Sequence, residues 1–534
     1  MPMAEPSELL PAKVILLAAH FAADTNIPAL RRLTALHPTV LNLVLSLRII
    51  LTFLPESTEP VSYTPYIQDL VQPTSSKHDG ADIDISAVEK LTDVEARRQV
   101  RKLGLLPLQQ AHDLHASSED PLTQFLIHRA HKIDAETGLL SLLPQLLEPF
   151  LERSEYLRTW FISTLLPLLR LNYEYYPQDE PKFTLETFEN LVENVGASLL
   201  LSKAGQSSHY RADTIIARDL RGLVGPWMYG NHRSKRRKVG GRGRRASLTA
   251  RLETVHTDDE KMYHSIAKEI HDWEQVYEWL SSEAARDPSI VVHAVEHWNG
   301  PMDVDYGGYD TGQDGLDESI QQDLKKQYAQ AALAAIYATK DSSSKTVKDE
   351  YRILFRVAEL MDLTPPPELA AAARSLPEIN ISADLLDGLS ESYLVHNALL
   401  LPSNPLTTPN AQATTLLFAL MLSASSLISL GAPFSVMRVA ELHFSGNVEV
   451  QQIELQRVIR NIVSGPKKND EEWSTIRTSL LWLWGWGKEG LIQTSAGRVL
   501  ARQGLGVFGK VEKVFLETEV LRAFLIGGCM LPRS

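Results

Sequence analysis

From Leu139 onward the apolar residues recur at steps of mostly three or four: Leu139, Leu143, Leu146, Phe150, then Leu157, Trp160, Leu165 and Leu169. That spacing keeps side chains on one stripe of a helix, and a stripe must be buried against another element. Pro144, Pro149 and Pro167 interrupt the run, which predicts kinks or two to three shorter helices. A second stripe is Leu185, Phe188, Leu191, Val195 and Leu199. A third is Met262, Ile266, Ile270, Trp273, Tyr277 and Leu280, with Thr257 and Glu260 as a capping box. A fourth, Leu455, Ile459 and Ile462, is stopped by Gly465 and Pro466. Sustained strand-like alternation is almost absent. The pattern predicts an all-α fold.

A chain of 534 residues is too long for one compact core. Its connections are short and polar, as at Thr364–Pro367, Ser403–Asn410 and Gly465–Asp470, and suit antiparallel helices. On the order of twenty helical segments are expected, without the fixed period of a named repeat family. These features point to an irregular α-solenoid of antiparallel helix pairs, with a set of unrelated helical bundles as the alternative. The expected division is a helical solenoid over 1–228, a basic insertion over 229–256 and a second helical solenoid over 257–534.

Composition narrows the function classes. The net charge is −13, the wrong sign for a general nucleic-acid binder. The one cysteine, Cys529, excludes an intramolecular disulfide framework and a Cys-based zinc cluster. The N-terminus places Glu5, Glu8 and Lys13 among its apolar residues, unlike a secretory signal. Leu41–Leu54 carries Arg48 and is too short to span a bilayer. Thr414–Leu430 is uncharged but holds four serines and lacks basic flanks, so a buried helix is expected there.

Two segments break the pattern. Arg233–Arg251 carries nine basic residues, three glycines and no acidic residue. It has no apolar stripe to bury, so a disordered surface insertion is expected, with a nuclear localisation signal or an anionic-surface patch as sharper readings. Without it the chain would hold 44 basic against 66 acidic residues. Gly300–Asp317 is rich in Asp and Gly and reads as a long loop.

The motifs that could carry chemistry are few. His293, Glu296 and His297 match the H-x-x-E-H pattern, in which two histidines one turn apart hold zinc and the glutamate is the base for bound water. With 16 histidines in a helical chain, ordinary helix histidines are the expected reading. Asp303, Asp305 and Gly308 fall at calcium-loop positions one, three and six, but Gly307 replaces a ligand and Asp314 sits where a bidentate Glu is wanted. An acidic turn is expected instead. Trp482, Trp484 and Trp486, near Trp473, are expected in the core rather than as an exposed partner anchor. Gly225–Gly230 has phosphate-loop spacing, yet Asn231 and His232 replace the required Lys-Ser/Thr pair. No catalytic, cofactor-binding or metal residue is expected, and the contact residues for partners are unknown from the sequence.

Several stretches resemble the fungal secretory-pathway thirty-nine domain family. They are Pro11–His20, Leu47–Glu56, Trp298–Pro301 with Asp303–Gly308, and Leu481–Trp484 with Phe508–Lys513. They follow in order over most of the chain. The resemblance implies an irregular α-solenoid without catalytic residues or cofactors, related to the animal neuroblastoma-amplified-sequence protein. It also implies a subunit of the Dsl tethering complex, peripheral on the cytosolic face of the endoplasmic reticulum. Its implied partners are other Dsl subunits and ER SNARE proteins, with membrane association indirect through them, in capture of Golgi-derived retrograde vesicles. Family members are usually longer, and Ile526–Ser534 leaves the stripe begun at Val511, Phe515 and Val520, so a truncated C-terminus is expected. The competing classes are a zinc peptidase using His293, Glu296 and His297, and a nuclear adaptor driven by Arg233–Arg251.

Overall fold

The structure, a computed structural model, describes residues 9–72, 83–109, 120–191, 193–205, 212–229, 273–309, 318–382, 385–386, 388–488 and 504–526. Helices follow one another with no strand among the described residues. The fold is all-α, its helices packed in pairs as in an irregular α-solenoid. The basic segment 233–251, the helix start expected at Thr257, and the tail beyond Ile526 lie outside the described residues.

The chain divides into two compact units. The first comprises Met1–Gly196, Pro226–Glu253 and Tyr306–Thr311. Its opening helices are α1 (Pro11–Ala23), α2 (Ile27–Leu36), α3 (Leu43–Phe53), α4 (Pro60–Val71), α5 (Asp93–Val100) and α6 (Pro121–Thr137). Asn26, Asn42, Thr92 and Asp120 cap the starts of α2, α3, α5 and α6 by accepting from N–H groups the helix leaves unpaired. Helix α1 packs on α2, α3 and α5, and α3 on α6. The buried Arg129 of α6 donates to the carbonyls of Leu54 (2.9 Å) and Pro55 (2.8 Å), tying the end of α3 to α6.

The first stripe is buried almost throughout: Leu143, Leu146, Phe150, Leu157, Trp160 and Leu165 are core, and only Leu139 is exposed. Pro144 and Pro149 open short helical pieces at Leu143–Leu147 and Glu148–Arg153, as expected. Pro167 does not break the chain. Residues 155–175 stay helical, with π-type turns at Phe161–Leu165 and Arg170–Tyr175 on either side of it. A wider i→i+5 turn is one way a helix accommodates a residue that lacks an N–H. The second stripe is not one helix. Leu185 and Phe188 are buried in Leu185–Glu189, but a new helix, Glu193–Gly205, resets the phase. Val195 is then exposed, and Ala197, Leu200 and Leu201 are buried.

The second unit comprises Ala197–Gly225, Thr254–Asp305 and Gly312–Ser534. It contains α7 (Glu274–Arg286), α8 (Pro288–His297), α9 (Glu318–Ala338), α10 (Ser344–Leu360), α11 (Ala411–Ser429), α12 (Val436–Phe444), α13 (Val448–Ser464), α14 (Asp470–Gly485) and α15 (Lys513–Ile526). Helix α9 is the hub and packs on α7, α10 and α12. Its run Tyr328–Tyr337 is buried on every side, and its alanines let neighbouring backbones approach closely. Helix α11 is long and apolar enough to cross a membrane, but most of it is buried against its neighbours, as the sequence led us to expect. The third and fourth stripes are core where described: Trp273, Tyr277 and Leu280, then Leu455, Ile459 and Ile462.

Candidate interaction surfaces

Helix α8 does bring the H-x-x-E-H residues together. Ligand atoms of His293, Glu296 and His297 lie within 4.8 Å of one another. The glutamate, however, is already engaged. Arg352 of α10 donates from Nε to Oε1 (2.6 Å) and from Nη2 to Oε2 (2.5 Å) of Glu296, and pairs with Asp349 at 3.0 Å. A carboxylate holding a guanidinium on both oxygens is a poor acceptor for a water proton. The geometry suits a helix-to-helix tie between α8 and α10.

The segment after α8 is a turn built around a tryptophan. Trp298 is fully buried between Trp273 (ring centroids 5.9 Å apart) and Tyr328 (5.0 Å). Its indole N–H donates to the Asp303 carbonyl (3.0 Å), and its own carbonyl accepts from the Tyr328 hydroxyl (2.9 Å). The Asp303 carboxylate accepts the Asn299 N–H (3.0 Å) and pairs with Arg221 (2.7 Å). Arg221 also donates to the His297 carbonyl, and its own carbonyl accepts the Asp305 N–H (3.0 Å). Gly300 sits at φ +86°, where a Cβ would stand 2.6 Å from the Tyr328 ring, so only glycine fits. Asp303 therefore caps a bend, as the acidic-turn reading expects. Asp310 and Asp314 lie outside the described residues.

The tryptophan group of α14 is likewise interior. Trp473, Trp482, Trp484 and Trp486 are all buried. The indole N–H groups of Trp482, Trp484 and Trp486 donate to Pro377 O (2.8 Å), Val511 O (2.8 Å) and Ser423 Oγ (3.0 Å). Gly506 N–H donates to the Trp484 carbonyl (2.8 Å), and a Cβ on Gly506 would come within 2.2 Å of Leu483 O. The two stretches Leu481–Trp484 and Phe508–Lys513, far apart in sequence, thus form one clamp. His443 stacks on Trp486 (4.8 Å) and donates from Nδ1 to Gly506 O (3.2 Å). Burial pushes its imidazole down to about 4, despite the Gly506 bond, so it stays neutral. Residues Gly225–Met228 are helical, which removes the phosphate-loop geometry that their spacing suggested.

Two exposed surfaces among the described residues carry a pattern. Helix α15 buries Leu516, Val520 and Ala523 but exposes Val514 (71%), Leu521 (49%) and Leu525 (57%) on the opposite side. Steps of seven and four put the exposed three on one stripe. This second stripe was readable in the sequence, which shows apolar residues on two sides of one helix. The other open surface is basic and lies at the end of α5, where Arg97, Arg98, Arg101 and Lys102 are all exposed.

The profile of the secretory pathway protein Sec39 family matches residues 15–529. The chain belongs to that family. No curated protein matches it significantly. Membership in the Sec39 family implies a secretory-pathway tethering role, and the fold has the paired-helix architecture expected of such a scaffold. In this Sec39-family chain, two of the stretches that carry the resemblance build the Trp298 turn and the Trp484 clamp. Both are occupied by internal packing, whereas the faces of α5 and α15 are exposed among the described residues.

Proposed function

We propose that the chain is a non-enzymatic scaffold subunit of an ER tethering complex for Golgi-to-ER retrograde vesicles. In this reading it sits peripherally on the cytosolic face of the ER and binds another Dsl subunit and ER SNARE proteins. The observation that carries it is the family match over nearly the whole chain. The α15 stripe supplies a second support. Exposed aliphatic side chains at helical spacing suit a helix-on-helix interface, and each large aliphatic buried on binding contributes on the order of 1.5–3 kcal/mol. Arg233–Arg251 has no assigned part in this function.

The test is co-purification from detergent extract with mass spectrometry of bound proteins. Recovery of a second tether subunit and ER SNAREs is expected, and Leu521→Asp with Leu525→Asp should reduce that recovery while leaving the helical signal intact. Recovering neither partner with a folded chain would overturn the proposal. Elemental analysis separates it from a peptidase, because stoichiometric zinc in the purified protein would favour His293, Glu296 and His297 as a metal site.

A further inference from the structure

Helix α5 begins with a capping box. Thr92 Oγ1 accepts the Glu95 N–H, and the Glu95 carboxylate accepts the Thr92 N–H (3.0 Å) and hydroxyl (2.7 Å). That reciprocal pair occupies one of the two acidic side chains of the first turn; the other, Asp93, is exposed one turn before Arg97 and forms no ion pair among the described residues. Ala96 is buried against the rest of the unit, so the helix is anchored by one face. The opposite face carries Val94, 77% exposed. Arg97, Arg98 and Arg101 follow it by three, four and seven residues, which places them around it on the same side. Lys102 extends the group, and all four cations are exposed. None of the four forms a side-chain hydrogen bond or ion pair among the described residues. The ionic contacts that pair most other arginines, such as Arg352 with Glu296 and Arg438 with Glu454, are missing here.

Four unpaired cations around an exposed aliphatic residue are unexpected on a chain of net charge −13. Pairing an exposed cation with a carboxylate adds little stability. It is therefore the clustering of four cations at one short helix, rather than their lack of partners, that makes the patch complementary to an anionic surface outside the chain. We propose that the Val94–Lys102 face is a docking site for an anionic phospholipid membrane. The choice of a membrane over another acidic surface rests on the secretory-pathway reading above, together with Val94. A bilayer accepts an aliphatic side chain at the headgroup boundary beside cations that face its anionic headgroups. Each cation contributes roughly fivefold to partitioning onto an anionic leaflet, with the attraction fading over a distance of about 8–10 Å in physiological salt. The site therefore adds weak, salt-sensitive orientation to whatever membrane attachment the partners provide. It departs from the expectation that membrane association is wholly indirect.

The experiment is flotation of the full chain with phosphatidylcholine vesicles containing phosphatidylserine. The cations of residues 233–251 are replaced by glutamine in the background used, so that they cannot supply the signal. Binding is expected, lost on raising the salt and absent with phosphatidylcholine alone. Arg97, Arg98, Arg101 and Lys102 all changed to glutamine should lower binding by more than tenfold with an unchanged helical spectrum. Lysine at the three arginine positions should preserve binding, since charge rather than the guanidinium fork is required. In a Cys529→Ser background, a polarity-sensitive fluorophore on Val94→Cys should shift to the blue on vesicles. No flotation in the glutamine background, equal flotation of the four-site variant, or no shift at position 94 would each overturn the proposal. Binding of poly-glutamate but not vesicles would assign the patch to an acidic protein instead. None of these outcomes alters partner co-purification, so loss of this inference leaves the tether reading standing.

Discussion

The indole N–H of Trp484 donates to the carbonyl oxygen of Val511 at 2.8 Å, joining the end of α14 to the start of α15 across 27 residues. The bond is buried, and Gly506 passes against the backbone of α14 beside it. The clamp, together with packing of α15 on α13, holds α15 and its exposed stripe in place.

Gly506→Ala should therefore be strongly destabilising. Its Cβ would meet a backbone carbonyl, which cannot rotate away, and overpacking of this kind costs about 1–3 kcal/mol. Urea unfolding should show the loss, with partner binding through Leu521 and Leu525 falling in parallel.

Arg221→Met should loosen the Trp298 turn without opening a cavity. The substitution leaves the Asp303 carboxylate with only the Asn299 N–H among the partners named above, and removing one partner of a half-buried pair costs on the order of 1–3 kcal/mol. Changing Asp303→Asn in addition should recover part of the loss, because the orphaned charge is removed. A double-mutant cycle by urea unfolding reads the coupling.

Glu350 of α10 is buried, and neither carboxylate oxygen has a hydrogen-bond partner among the described residues. Burial, reinforced by the negative charges of Asp341 and Asp349, raises its carboxyl well above the usual range. The folded chain then holds a proton that the unfolded chain releases. Its contribution is complete below the unfolded value near pH 4.5 and is lost as pH rises through the folded value, by at most about 1.4 kcal/mol per pH unit. Glu350→Gln should stabilise the protein at pH 7.5 and change little at pH 4.5, measured by urea titration at both.

His443 works in the opposite direction. Its folded value is depressed to about 4, so the unfolded chain takes up the proton first. Stability is lost as pH falls from about 6.5 towards 4, again at no more than about 1.4 kcal/mol per unit. His443→Gln should flatten that acid limb in thermal melts between pH 6.5 and 4.5. A limb as steep as the parent's would show that the imidazole is not buried neutral.

Which parts of this protein were legible beforehand depended on the range of the physics. The all-α class, the burial of Leu143, Leu146, Leu157 and Leu455, and the buried character of α11 follow from residues three or four apart, and such spacing is local. The second stripe misled because Leu185 to Leu199 keeps a helical step from one helix, ending at Glu189, into another, beginning at Glu193; periodicity records phase but not whether the helix is continuous. The prolines did divide the first stripe, at Pro144 and Pro149, while at Pro167 the helix continues with π-type turns on either side.

The sequence by itself determined that stripes of leucine and tryptophan would be buried in helices, because removing apolar surface from water dominates and needs only the right period. It also carried the family resemblance, in short ordered stretches. Only the tertiary structure decided which distant residues share a bond: Arg352 with Glu296, Arg221 with Asp303, Trp484 with Val511. Those pairings occupied the H-x-x-E-H glutamate and the acidic turn. They left Val94, Arg97, Arg98 and Arg101 on one side and Val514, Leu521 and Leu525 on another facing solvent. A hydrogen bond or ion pair is decided over about 3 Å in space, and the order of residues along a chain does not specify which distant groups come that close.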